Sequence, residues 1–259
     1  MIESRLCTQK DFETEWFKKI TKDINCDFRY HRKLWEFVVM IDTLHKLNLL
    51  KEGRVGLGFA VGTEPLTSYF IKHGCKVVAS DYMDQELWSK NNELAQSLKD
   101  LNTHKIIDQK VLESNCIFRN VDMRNIPEDL KQEQFDFIWS SCAFEHLGNL
   151  EEGKKFVVDS LKCLKPGGYA IHTSEYNCSS NDDTVKEGDF VVYRKQDYED
   201  IEYRLKKNNA KLFPINYDLG DMEHDSYVDD VPYESEIHLK LNLVKYTSTS
   251  ILLIIQKGF

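Results

Sequence analysis

Val55-Gly56-Leu57-Gly58-Phe59-Ala60-Val61-Gly62 is the stretch on which the reading of the fold turns. It reads as a buried strand, Val55 to Phe59, running into a glycine-rich turn. A helix from Pro65 to His73 follows, closed by Gly74, and then a second buried strand, Cys75 to Ser80, ends on Asp81. Glycines let the backbone turn sharply and approach a ligand closely, because no Cβ intrudes. An acidic residue about 20 positions further on can accept hydrogen bonds from ribose hydroxyls. From Gly58 to Asp81 the interval is 23 residues. A glycine triplet alone is a weak sign, but strand, turn, helix, strand and acid in register point to a nucleoside-cofactor site.

Outward from this unit the same rhythm continues. A helical stretch is expected around Gln85 to Leu98 and another up to Ser114, then a third strand over Cys116 to Arg119 and a fourth over Phe135 to Ser140. A helix from about Leu150 to Leu164 precedes a fifth strand, Gly168 to Thr173, with the Lys165-Pro166-Gly167-Gly168 turn between them, since proline and paired glycines cannot continue a helix. Beyond lie a helix near Gln196 to Lys207, a strand around Leu212 to Ile215, a long acidic loop and a last strand, Ser248 to Gln256. Strands alternating with helices imply βαβ units and a mainly parallel sheet with ligands at the carboxyl ends of its strands. The loop, residues 216–236, is long for a compact domain and is expected to be a lid.

The first fifty residues read as helices, with Phe12, Trp16, Phe17, Ile20 and Ile24 at helical spacing, then Leu34, Trp35, Val38 and Ile41, and Gly53 as the stop. The expected division is a helical layer over 1–53 packed on an α/β domain over 54–259.

Bulk properties narrow the function. Hydrophobic residues make up 41% and charged residues 30% of 259, ordinary for a globular protein. No apolar run reaches the roughly 18 residues of a membrane helix, and the N-terminus lacks a signal-peptide pattern, so a cytoplasmic protein without membrane partners is expected. The seven cysteines form no C-x-x-C pair, which argues against a structural zinc site. A net charge of −9 makes nucleic acid an unlikely partner.

The motif series resembles that of class I S-adenosylmethionine-dependent methyltransferases. Gly56, Gly58 and Gly62 match their first motif, and Asp81 their ribose-binding acid. Val121-Asp122-Met123 resembles the adenine-contacting element, Phe135 to Ser140 the fourth-strand motif, and Leu164-Lys-Pro-Gly-Gly168 the turn before the fifth strand. The resemblance implies a Rossmann-like, mostly parallel seven-stranded sheet with an antiparallel last strand, S-adenosylmethionine as cofactor, and Gly56, Gly58, Gly62, Asp81, Asp122, Met123 and Ser140 around it. The stretches GFAVGTEPL, FEHLG, HTSEYN, YRKQD and HLKL, with His31 to Glu36, are similar to a bacterial subgroup associated with surface-glycan and capsule modification. Ala60 stands where many relatives carry glycine, and is tolerable only if its φ stays negative.

Methyl transfer from a sulfonium is an in-line displacement that needs an aligned acceptor and, where required, a base. The loops after the fourth and fifth strands offer Cys142, Glu145, His146, His172 and Glu175. His146 is the expected base, oriented by Glu145 or Glu175; capping the next helix is its alternative role. His172 serves equally as a catalytic or a structural histidine, and Cys142 reads as a small buried residue. Glu145 and His146 also resemble part of the divalent-metal site of methyltransferases acting on small-RNA 2′-hydroxyls, with His172, Glu175, His224 and His238 as further ligands. Arg194, Lys195 and Lys240 could hold an anionic acceptor. The expected reaction is methylation of a small polar acceptor: a glycan, sugar-nucleotide or phosphorylated (phosphoramidate-type included) capsule precursor. The competitors are an NAD-dependent dehydrogenase, which would show a hydride-transfer signature, and a non-catalytic binding subunit.

Overall fold

Strands and helices alternate through the middle of the chain, and both ends add strands of their own. The computed structural model describes residues 2–83, 94–233 and 235–258, so most of the helix expected over Gln85 to Leu98 lies outside the described residues. The strands are β1 (Ser4–Leu6), β2 (Tyr30–His31), β3 (Val55–Gly58), β4 (Lys76–Asp81), β5 (Cys116–Asn120), β6 (Phe135–Ser141) and β7 (Leu164–Asn177). They continue with β8 (Ala210–Leu212), β9 (Ile215–Asn216), β10 (Val228–Asp229), β11 (Ile237–His238), β12 (Lys240–Leu243) and β13 (Tyr246–Lys257). The helices of the described residues are α1 (Gln9–Phe12), α2 (Glu15–Asp23), α3 (Arg32–Lys46), α4 (Leu66–Lys72), α5 (Gln109–Asn115), α6 (Leu150–Asp159) and α7 (Lys195–Lys207).

The sheet runs β5-β4-β3-β6-β7 in parallel, and β13 is inserted antiparallel beside β7, with Leu253 opposite His172. This is the Rossmann-like methyltransferase fold, mostly parallel with an antiparallel final strand. Its extra breadth comes from the free edge of β13. Three short strands share that edge end to end: β12 opposite Ser248, β1 opposite Leu252 and β8 opposite Ile255. With β9 and β10 added, the sheet holds eleven strands rather than seven. The all-helical reading of the N-terminus therefore misses β1, and the single strand expected over Leu212 to Ile215 is split between β8 and β9.

Period-two alternation divides the core between the two faces. Leu252 and Ile254 join Trp35, Val38, Phe70 and Trp139 on one face, while Ile251, Leu253 and Ile255 join Phe156, Tyr198 and Ile201 on the other. A strand apolar at every position is what burial on both faces demands, and each buried large side chain is worth about 1.5–3 kcal/mol. Helix α3 ends at Lys46 with Asn48 at φ 56, and the Leu49 N–H returns to Leu44 O, so asparagine rather than Gly53 supplies the left-handed stop. The helix expected through Phe12 to Ile24 breaks at Thr14, whose hydroxyl caps α2. Lys165 to Gly168 is an irregularity inside β7, where the register jumps from Phe135–Leu164 to Phe137–Tyr169.

Residues 216–236 are fastened at several points. The Gln9 backbone N–H donates to Asp225, the Gln9 side-chain oxygen accepts from His224 N, and Lys240 Nζ donates to the carbonyls of Leu219 and Asp225. None of the described residues of this segment lines the cavity presented below. No helix of the described residues is long and apolar enough to cross a membrane.

Candidate active site

In a sheet ordered this way the chain leaves β3 toward one side and returns through β6 on the other, opening a crevice at their carboxyl ends. After β3 the backbone turns through Ala60 (φ 48) and Gly62 (φ 50). Ala60 does not keep the negative φ at which its methyl group would be free of strain. The turn imposes the left-handed conformation, at about 1–2 kcal/mol for a residue bearing a Cβ. The Gly62 N–H donates to Asp81 Oδ2 at 3.1 Å, and the amides of Tyr82 and Ala95 also donate to this carboxylate. Three of its roughly four acceptor positions are thus used, which leaves capacity for a ligand hydroxyl. Burial pushes the Asp81 carboxyl up, against those three amides.

A cavity of about 890 Å³ occupies the crevice, within the roughly 300–1,000 Å³ of small-molecule sites. Of the seven residues expected at the cofactor, Gly62, Asp81, Asp122 and Met123 line it. Gly56, Gly58 and Ser140 do not. A Cβ on Gly56 would lie 2.6 Å from the Phe137 ring and one on Gly58 2.4 Å from the Trp139 ring, so these glycines admit aromatic side chains rather than a ligand. Ser140 points to the opposite face, bonded to His172 Nδ1 at 2.8 Å, and its neighbour Ser141 takes the cavity side. Asp122 is clasped by the Arg124 guanidinium at 2.8–3.1 Å.

The other end of the cavity is organised by a residue not expected there. Glu36, fully buried on α3, accepts from Lys33 Nζ (3.0 Å), Ser141 Oγ (3.0 Å), Cys142 Sγ (3.1 Å), Thr173 Oγ1 (3.1 Å) and Ser250 Oγ (2.6 Å). Burial raises its pKa, but Lys33, Arg32 and the bonds from Ser250 and Cys142 outweigh it and hold the carboxyl down at about 2. Arg32, one turn earlier, reaches Glu175 Oε1 at 2.5 Å. A lone charge inside the apolar run Leu34 to Ile41 was the available sequence signal.

The expected catalytic residues separate. His146 and Glu175 line the cavity; Glu145 and His172 do not. His172 is fully buried between Phe144 and Phe156, and burial lowers its pKa to about 3, so it is a neutral core residue. Glu145 is fully buried, with Oε2 accepting from Ser174 Oγ, and burial beside Glu175 raises its pKa to about 8. The Asp189 carbonyl lies 2.8 Å from His146 Nδ1, and Glu175 acts on the ring through its charge. Arg194 clasps Asp197 at the start of α7, Lys195 lies over Tyr217, and Lys240 is bonded to the 216–236 segment, so none of them lines the cavity. His224 packs on Tyr30, and His238 bonds Asp229.

Cys142, Glu145 and Glu175 present ligand-type atoms within 4.8 Å of one another. The set does not fit a divalent cation. Arg32 Nη1 stands 2.5 Å from Glu175 Oε1 and 3.7 Å from Cys142 Sγ, already supplying the positive charge. Burial and Glu36 raise the Cys142 thiol well above its usual range, so it acts as a donor to Glu36 instead of a thiolate ligand. His146, expected to share a metal with Glu145, is outside this group.

Residues 55–172 match a family described as a methyltransferase domain. No curated protein matches the chain by sequence. Solved structures share the fold at low identity. A proposed sarcosine dimethylglycine methyltransferase from Galdieria sulphuraria is 14% identical, with 86% of this chain and 84% of that one covered and a TM-score of 0.56. Phosphoethanolamine N-methyltransferase 2 of Haemonchus contortus, seen with phosphomonomethylethanolamine and S-adenosylhomocysteine, is also 14% identical. That match covers 83% of this chain but 52% of the longer enzyme, at a TM-score of 0.52. The cyclase SpnF is 12% identical over 85% of this chain and 81% of its own, at 0.54, so the fold by itself does not name a reaction. The domain match falls on the residues that build the turn, Asp81 and the Asp122 element, and gives the chain a methyltransferase domain over residues 55–172. A methyltransferase domain accords with the expected methyl donor, S-adenosylmethionine, and not with the nicotinamide alternative.

Proposed function

We propose that the chain methylates a small polar acceptor held at the Arg32–Glu175 end of the cavity, with His146 as general base. The observation that carries this reading is that one cavity joins the cofactor residues Gly62 and Asp81 to His146, Glu175, Arg29 and Lys33. Fixed charges at that end favour an acceptor bearing hydroxyl, amino or phosphate groups. The glycan, sugar-nucleotide and phosphorylated capsule precursors of the subgroup that the sequence resembles are of this kind. Arg29 is exposed and Lys33 partly so, which leaves both able to meet an anionic group.

S-adenosylmethionine supplies a methyl group on positively charged sulfur. The chain supplies alignment and a base. A carbonyl only accepts, so the bond to Asp189 requires the proton on Nδ1 and puts the lone pair of the neutral ring on Nε2. Burial lowers the His146 pKa from its usual 6.5, which keeps the ring neutral and basic at pH 7. Arg32 and Glu36 tie α3 to β7 and β13 and hold the wall against which the acceptor is oriented. Formation of S-adenosylhomocysteine with a panel of sugar-nucleotides, phosphosugars, amines and apolar phenols tests the reading. Turnover confined to polar acceptors is expected; turnover confined to apolar phenols would overturn it.

A further inference from the structure

Of the carboxyl groups lining the cavity, four are already answered or lie in solvent. Asp81 takes three amides, Asp122 is clasped by Arg124, Glu175 is paired with Arg32, and Asp27 is exposed. Glu64 is different. It stands two residues after Gly62, is 9% exposed and faces the cavity. The Trp139 indole N–H donates to Oε1 at 2.7 Å, and no cation or amide of the described residues bonds the group. Trp139 is fully buried against Gly58 and Phe70, so the carboxyl is held in place.

Its position along the cavity is informative. Glu64 follows Gly62, whose amide bonds Asp81 at the ribose end, and its carboxyl is held by Trp139 of β6, two residues before Ser141, which bonds Glu36 at the acceptor end. Glu64 therefore stands between the two, where the charged sulfur of the donor has to lie if its methyl is to meet the acceptor. Resting on the assignment of S-adenosylmethionine as donor, we propose that Glu64 is a proton-linked counter-charge. It is ionised while the cationic donor is bound and holds a proton when the neutral-sulfur product takes its place. Burial, opposed by the Trp139 bond, raises the carboxyl to about 8, so it is largely protonated at neutral pH in the empty cavity. An added positive charge favours loss of that proton; removal of the charge with the methyl favours its return. Product release is thereby favoured over donor release, with Glu64 as a positioning residue rather than a catalytic one.

The test is calorimetry at pH 6.5 in two buffers of different ionisation enthalpy, titrating S-adenosylmethionine and S-adenosylhomocysteine into the full chain. The wild type is expected to release close to one more proton with the donor than with the product. Donor affinity should rise about tenfold between pH 6 and 7 while product affinity stays flat. Glu64→Gln should abolish the extra proton and weaken donor binding more than product binding. Equal proton counts for the two ligands in the wild type would overturn the proposal without any variant, as would an unchanged donor-to-product affinity ratio in a folded Glu64→Gln. Binding of neither ligand would instead overturn the donor assignment on which it rests.

Discussion

The two ends of the cavity are built from the chain in different ways. The end proposed for the cofactor comes from successive strand ends, with Gly62 after β3, Asp81 closing β4 and Asp122 after β5. The acceptor end is assembled from α3, the turn after β6, the end of β7 and β13, with Arg32 and Cys142 110 residues apart and Glu36 and Ser250 214 apart. Local geometry makes the first; only the completed sheet makes the second. One consequence is that the acceptor end carries far more of the fold's polar burial than the cofactor end does.

The largest expected effect is therefore structural. Glu36→Ala would leave Lys33 without its carboxylate, take one of two from Arg32 and strip the Ser141, Thr173 and Ser250 hydroxyls of an acceptor. Urea unfolding should show a loss of about 3–5 kcal/mol; a loss below about 1 kcal/mol would mean that the network does not hold α3. The pH dependence has a definite sign. The folded pKa of about 2 lies below the ordinary 4.5, so this stabilisation is present above pH 4.5 and is lost as pH falls toward 2. Glu36→Gln should flatten that part of the profile.

Next in size is catalysis. His146→Ala should lower kcat by about 10²–10⁴, and the acid limb of the wild-type profile should fall below 6.5 because burial depresses the imidazole pKa. Wild-type kcat in the variant would remove His146 from the mechanism. The smallest effect belongs to the turn. Ala60→Gly relieves a left-handed alanine but adds chain entropy, so a gain of only about 0.5–1 kcal/mol in unfolding free energy is expected; destabilisation would show that the methyl group packs usefully.

The same contrast explains what the sequence disclosed. The glycine turn, Asp81 and the Asp122 element were legible because their chemistry is local to each strand end. Gly56 and Gly58 were misread because the rings they admit, Phe137 and Trp139, come from β6. Ser140 was misread by one step of strand alternation, which decides between cavity and core. Glu145 and Glu175, 30 residues apart in the chain, looked like interchangeable partners for His146. The fold instead gives Glu175 to Arg32, buries Glu145 beside Ser174 and gives His146 to a backbone carbonyl. Arg32 and Glu36 appeared only as part of a resembling stretch, because their partners lie on β6, β7 and β13.

The division into two ends is tested most directly by calorimetric titration of S-adenosylhomocysteine into the wild type, Asp81→Ala and His146→Ala. Asp81→Ala should weaken binding about tenfold or more, the loss of a charge-assisted hydrogen bond worth about 1.5–3 kcal/mol. His146→Ala should leave it unchanged within about twofold. Equal losses in the two variants, or undiminished affinity in Asp81→Ala, would contradict the division.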